Sequence, residues 1–326
     1  MSLNLKYREN TTNHSSFNNK MMNDYLAFFT TPEGADMLPY AYMESSDNYD
    51  NLIKYNSDYY LFNDEVQIIK QNKDLFTKYL SGIESVVEIG PGSDYAIEHK
   101  TLPILHSTKN LKTYCAIDIS TNYLDDACNF IRNHYDNIEI LGVEADILQP
   151  QNIELEKIHG RKVVLFLGST LGNFNHNQQI HIVKQLSHLT KINDILILTA
   201  DNNQDEECLL KAYTNSFTKL FLLGILKFFS RIDCDFKQYI AEFDVQCKWE
   251  KDLQLIDICF VSKTNISFRL ENYGNIEIKA GQEFRGIKTR KPSVNSVIKL
   301  LNDNNFSVLE TFDNSNKMHT FLCKKI

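Results

Sequence analysis

The sequence predicts an α/β fold: a mostly parallel sheet covered by helices on both faces, with an inserted α+β segment. Three observations carry this. Short, nearly continuous apolar runs recur between residues 85 and 199, and strands buried on both faces read in that way. Stretches with helical spacing separate most of them. After about residue 236 the pattern becomes an alternation of apolar and polar residues, the mark of antiparallel strands with one face in water.

Residues 1–20 are polar and lack an apolar stretch, so they read as a mobile leader, or as a lid if the start folds back, and not as a signal peptide. Residues 21–80 carry helical spacing, as in Tyr25, Phe28 and Phe29. A tyrosine-rich stretch runs from Tyr40 to Tyr60, and a helix is expected over 64–80. The strands then follow. Ser85 to Gly90 is the first, Thr113 to Asp118 the second, Ile138 to Val143 the third, Lys162 to Leu167 the fourth and Asp194 to Thr199 the fifth. Helical patterns at 122–135 and 176–190 lie between them. Residues 205–230 read as one or two helices and 236–285 as an antiparallel insert. A helix over 293–303 precedes two strands in 306–325, joined at the turn Asp313-Asn314-Ser315-Asn316. That hairpin would complete the first sheet. The expected division is therefore 1–80 as an N-terminal helical part, 81–204 with 286–326 as a discontinuous nucleotide domain, and 205–285 as an inserted segment.

A chain of 326 residues, 43% hydrophobic and 23% charged, has enough apolar material for such a core without disulfides or metal. The net charge of −8 excludes the broad basic footprint that nucleic-acid binding requires. Lys288, Arg290 and Lys291 form a local basic cluster, read as a solvated rim. The seven cysteines include no CxxC pair, and several sit in apolar runs as reduced thiols do. The nine histidines show no paired ligand spacing, so no metal is expected. No apolar run approaches a membrane span. A cytoplasmic protein is the expectation, and the sequence sets no oligomeric state.

The first strand closes in Glu88-Ile89-Gly90-Pro91-Gly92-Ser93, where glycines let a backbone pass close to a ligand. Alone, such a turn is weak evidence, since many strand-to-helix turns need one glycine. The second strand, however, ends in Asp118, where a carboxylate can accept both hydroxyls of a ribose. The third is followed by Asp146, placed to accept from an adenine amino group. A phosphate-binding turn would prefer glycine at position 95, and Tyr95 stands there. A nucleoside without phosphates fits this turn better than NAD does. S-adenosylmethionine is the expected cofactor.

Phe166-Leu167-Gly168-Ser169-Thr170-Leu171-Gly172-Asn173-Phe174 holds two glycines with Ser, Thr and Asn, more than a turn needs. This run resembles the signature of the histidine Nα-methyltransferases of ergothioneine biosynthesis, shared with fungal enzymes that methylate the amine of a prenylated tryptophan. The similarity extends from about residue 40 to the end, and it implies a Rossmann-like class I methyltransferase sheet with an α+β substrate domain formed by residues 1–80 and the inserted segment 205–285. It implies cofactor contacts at Tyr60, Glu88, Gly90, Gly92, Ser93, Asp118, Asp146, Gly168 and Ser169. It also implies that Asn173 and Tyr213 hold a substrate carboxylate, with Tyr42 as a third contact near the amine. The substrate is then a small-molecule amine, methylated at the α-amino group of an amino acid. In the histidine enzymes a Glu and a Ser hold the imidazole. Here Ile287 and Thr289 stand in those places, unless the alignment slips and Glu283 supplies the carboxylate. A pocket without its acceptor favours imidazole less, so the side chain is histidine-like or more apolar. A different amine or hydroxyl substrate, and a cofactor-binding protein without catalysis, stand as alternatives.

Overall fold

The structure, a computed structural model, describes residues 13–32, 34–44, 46–148, 158–231, 236–270 and 274–326. Its contacts divide the chain into two compact units. The first takes the described residues up to Asp58 with Glu206–Glu250 and Leu255–Lys288; the second takes Tyr59–Asp205, Lys251–Gln254 and Thr289–Ile326. The helices Tyr60–Gln71 and Lys73–Leu80, grouped with the N-terminal part in the sequence reading, fall in the second unit.

The second unit is built on seven strands: β1 (Ser85–Ile89), β2 (Thr113–Asp118), β3 (Glu139–Glu144), β4 (Lys162–Phe166), β5 (Ile195–Asp201), β6 (Phe306–Asn314) and β7 (Met318–Lys325). Their order is β6-β7-β5-β4-β1-β2-β3. The first five are parallel, and the closing hairpin adds β7 antiparallel to β5. Ser315 and Asn316, both at positive φ, make the hairpin turn where the sequence placed it. Because β2 and β3 lie on one side of β1 while β4 and β5 lie on the other, the order reverses between β1 and β4. Ligands of open α/β sheets bind outside the carboxyl ends of the strands at such a point.

Each strand sends alternate residues to opposite faces. One face carries Val87, Ile89, Cys115, Val164, Phe166, Leu196, Leu198 and Phe321, packed with Ile182 and Leu186 of the helix His176–Leu189 and with Val297 and Leu301 of the helix Val294–Asn302. On the helix Lys73–Leu80, Phe76 meets Phe312 of β6 at 5.5 Å between ring centroids.

The first unit is held by aromatic packing. Tyr25, Phe28 and Phe29 come from the helix Asn13–Thr30, which begins inside the stretch read as a polar leader. Its neighbours in sequence, residues 1–12, lie outside the described residues. Tyr25 packs on Phe229 at 4.8 Å, Phe28 on Phe260 at 5.5 Å and Phe29 on Phe236 at 5.3 Å. The segment read as one or two helices is two, Glu206–Thr214 and Ser216–Phe229. The antiparallel insert forms a three-stranded sheet of Phe243–Glu250, Leu255–Ser262 and Glu283–Arg290, with a separate hairpin of Ile266–Leu270 and Gly274–Ile278. No helix among the described residues is long and apolar enough to cross a membrane.

Phe321 is fully buried on the core face of β7. Phe321→Ala is expected to lower unfolding free energy by about 3–5 kcal/mol, as large-to-small changes in close-packed cores do. Denaturant titration followed by near-UV circular dichroism checks this.

Candidate active site

At the end of β1 the chain turns through Gly90 and Gly92, both at positive φ. A Cβ placed on Gly90 would meet no atom within 4 Å, so the turn borders open space that a ligand can enter. Ser93 caps the short helix that follows, its Oγ accepting from the Ala96 amide at 3.4 Å. Tyr95, at the position of a third glycine, packs against His99 at 4.1 Å and Phe62 at 5.5 Å.

Behind this turn Glu88 is buried. Its carboxylate accepts from the Thr101 hydroxyl at 2.7 Å and the Tyr114 hydroxyl at 2.6 Å. Burial pushes its carboxyl above the usual range, and the two hydroxyls and Lys100 oppose that shift. Glu88 therefore ties β1 to β2 through Tyr114 and to the helical run after the turn through Thr101.

Asp118 closes β2. One oxygen accepts the Ser120 amide at 2.8 Å, while the Asp118 carbonyl accepts the Ala145 amide at 3.0 Å. Burial pushes its carboxyl up to about 6, against the pull of two backbone amides. Asp146 follows β3, its side chain accepting the Leu148 amide at 2.8 Å. Gly90, Asp118 and Asp146 thus stand at the carboxyl ends of three adjacent strands in the order β1, β2, β3.

On the other side of the switch point, β4 ends at Phe166 and the chain enters the left-handed region at Gly168 (φ 78°) and Ser169 (φ 57°). A serine there costs on the order of 1–3 kcal/mol unless its surroundings compensate. They do so. The Ser169 amide donates to Thr199 Oγ1 at 3.2 Å, and Ser169 Oγ accepts the Asp201 amide at 2.5 Å. The turn then tightens into a 3-10 helix, Thr170–Asn173. A Cβ on Gly172 would lie 2.5 Å from the Arg290 carbonyl and 3.6 Å from Thr289 Oγ1, so glycine is required for this backbone to lie against residues 289–290. Asn173 and Thr289 are thereby brought to neighbouring backbone segments.

Beneath the turn lie charges that sequence reasoning missed. Asp201 is buried and accepts from the Tyr60 hydroxyl at 2.8 and 2.9 Å, from the Asn203 amide at 3.1 Å, and from Lys291 Nζ at 2.5 Å. Lys291 also donates to Thr289 Oγ1 at 3.3 Å. The solvated basic rim expected here is therefore corrected: Lys291 is 0% exposed, because its ammonium neutralises Asp201. A second pair, Glu65 with Lys100 at 3.2 Å, lies below Gly168. Glu65 interrupts the apolar stripe Leu61, Phe62, Ile68, Ile69 of its helix, and Lys100 interrupts Ile97, Ile104 and Leu105; a charge inside such a stripe was the available signal.

Tyr42 and Tyr213 belong to the first unit. Tyr42 packs on Phe221 at 5.0 Å and Tyr49 at 5.3 Å, and Tyr213 is buried on the helix Glu206–Thr214. Ile287 is buried on the strand Glu283–Arg290. Among the described residues, no group of three or more His, Cys, Asp or Glu could hold a metal ion.

The sequence profile of a family described as histidine-specific, SAM-dependent methyltransferases matches residues 42–325. A histidine N-alpha-methyltransferase of Mycolicibacterium smegmatis is 26% identical over 73% of this chain and 73% of its own length. The ergothioneine biosynthesis protein 1 of Neurospora crassa is 25% identical over 54% of this chain, which spans only 20% of that protein. Among solved structures, an S-adenosylmethionine-dependent methyltransferase from Clostridium acetobutylicum is 14% identical, with a TM-score of 0.46 over 85% of this chain and 96% of that one.

Two outcomes follow from the ionisable groups. Asp118 holds its proton more tightly when folded than at its ordinary value of 3.8, so its contribution to stability is lost as pH rises through about 6. A nucleoside whose hydroxyls donate to Asp118 needs it ionised. Affinity for S-adenosylhomocysteine should therefore weaken by up to about tenfold per pH unit below pH 6 and level off above it, measured by calorimetry. Removing the partner of a buried charge is costly, so Lys291→Met should lose about 3–5 kcal/mol in denaturant unfolding.

Proposed function

Because the chain belongs to the family of histidine-specific, SAM-dependent methyltransferases, with the Rossmann-like class I methyltransferase sheet, we propose that it methylates the α-amine of an amino acid. The side chain of that amino acid is histidine-like or more apolar. One observation carries the reading: an open glycine turn, Asp118 and Asp146 stand at the ends of three successive strands beside the switch point. That donor set fits S-adenosylmethionine. Asp118 would accept the ribose hydroxyls, Asp146 the adenine amino group, and the Gly90–Ser93 turn would let the nucleoside approach the backbone. When bound, S-adenosylmethionine supplies an electrophilic methyl group on a sulfonium sulfur.

The work left to the protein is positioning, since direct methyl transfer to nitrogen needs a neutral amine in line with the S–C axis and little acid–base machinery. Asn173, fixed by the Gly168–Asn173 turn, would grip the substrate carboxylate through its side-chain amide. From the resemblance alone, Tyr213 carries the same expectation and Tyr42 that of a contact near the amine. Ile287 in place of a family Glu supports a less polar side chain than imidazole.

Mass-spectrometric methyl transfer across free amino acids and amines tests this, with histidine and tryptophan included. A product methylated at an α-amine is expected. Asp118→Ala should abolish cofactor binding, whereas Asn173→Ala should spare it and reduce turnover by about 100-fold or more. Intact turnover in Asn173→Ala would sink the carboxylate grip. A product from another amine or a hydroxyl would move the reading to that substrate class, and no product from a protein that binds the cofactor would favour lapsed catalysis.

A further inference from the structure

Glu65 lies at the centre of contacts that no cofactor role explains directly. It is 1% exposed on the helix Tyr60–Gln71, and three donors converge on it. The Gly168 amide donates to Oε1 at 2.8 Å, the Thr199 hydroxyl to the same oxygen at 2.6 Å, and Lys100 Nζ lies 3.2 Å from Oε2. These donors come from three places. Gly168 opens the turn after β4, Thr199 lies near the end of β5, and Lys100 lies on the helical run that starts at Asp94, just after the Gly90–Ser93 turn. The run contains a π-turn, Ile97–Thr101, an irregularity that recurs at functional sites. At its end two consecutive residues serve two buried carboxylates: Lys100 reaches Glu65 while Thr101 donates to Glu88. The Gly168 turn is thus bonded to Glu65 directly, and the helical run that follows the Gly90–Ser93 turn is bonded to Glu65 through Lys100 and to Glu88 through Thr101. Gly168 is itself exposed, so the tie holds in place a backbone that faces solvent.

We propose that Glu65 is a positioning residue for the cofactor: by binding the Gly168 amide, the Thr199 hydroxyl and the Lys100 ammonium together, it fixes the separation of the two glycine turns between which the nucleoside is held. The inference rests on the cofactor reading above. Glu65 does not touch the ligand. Its effect passes through the Gly168–Ser169 backbone and through Lys100. Thr199 extends the tie by one bond, because its Oγ1 donates to Glu65 and accepts the Ser169 amide at 3.2 Å. An alternative purely structural role would lower stability and leave the folded protein's affinity for its ligand unchanged.

The test is calorimetric titration of the full chain with S-adenosylhomocysteine, alongside thermal unfolding and hydrogen exchange at the Gly168 amide. Glu65→Gln is expected to weaken binding by about tenfold, the loss of roughly one charged hydrogen bond, and to speed Gly168 exchange. Thr199→Val should weaken binding by about threefold to tenfold, and Thr199→Ser should restore it, since the serine hydroxyl keeps both bonds. The threonine pair carries the test if Glu65→Gln does not fold. Folded variants that bind as tightly as the unaltered chain, with only the unfolding temperature lowered, would overturn the inference and leave the cofactor reading intact. Failure of the unaltered chain to bind S-adenosylhomocysteine would overturn the cofactor reading, and this inference with it.

Discussion

The parallel strands of this sheet must end, and where β4 and β5 end the chain leaves the ladder with amide groups still to satisfy. Backbone N–H groups away from water need partners. Here the partners are buried side chains: Glu65 takes Gly168, Thr199 takes Ser169, Ser169 takes Asp201, and Asp201 takes Asn203. Burying two carboxylates for this purpose requires two cations, and Lys100 and Lys291 supply them. The turn from Gly168 to Asn173 and the end of β5 depend on that compensation. Without it the left-handed Ser169 would relax and Asn173 would lose its place.

The same compensation explains how the edge can be open and still ordered. Gly90 borders free space and Gly168 is exposed, yet Glu88, Glu65 and Asp201 brace the backbone from the protein side. Side chains that point inward brace the backbone, and Asp118 and Asp146 stand at the strand ends where the proposed reading places the nucleoside. The proposed methyl transfer, which asks chiefly for alignment, would be served by an edge braced in this way.

Much of this was legible before the structure. Strand runs starting at 85, 113, 138, 162 and 194 have the continuous apolar character that burial on both faces dictates, and the places of the glycine turn and Asp118 follow from them. The hairpin at Ser315 and Asn316 was marked by its residues. The compensating charges are not legible as pairs, because the partners are far apart in sequence and Lys291 reads locally as a solvated charge. Lys291 sat beside Lys288 and Arg290 and looked like a rim; only the pairing with Asp201 distinguishes it. Glu65 and Lys100 carried a weaker signal, a charge within an apolar stripe, whose meaning appears when the two helices meet. The start of the first helix at Asn13 was hidden for another reason: an asparagine-rich segment has little propensity of its own, and the helix carrying it is fixed by Tyr25, Phe28 and Phe29 packing in the aromatic core.

The measurement that bears most directly on this account is a crystal structure of the protein grown with S-adenosylhomocysteine. The ribose hydroxyls are expected on the Asp118 carboxylate, the adenine amino group at Asp146, and the amino-acid part between the Gly90 and Gly168 turns, with Glu65 and Asp201 still paired to their lysines. A nucleoside bound elsewhere, or bound here with Asp118 turned away, would contradict it.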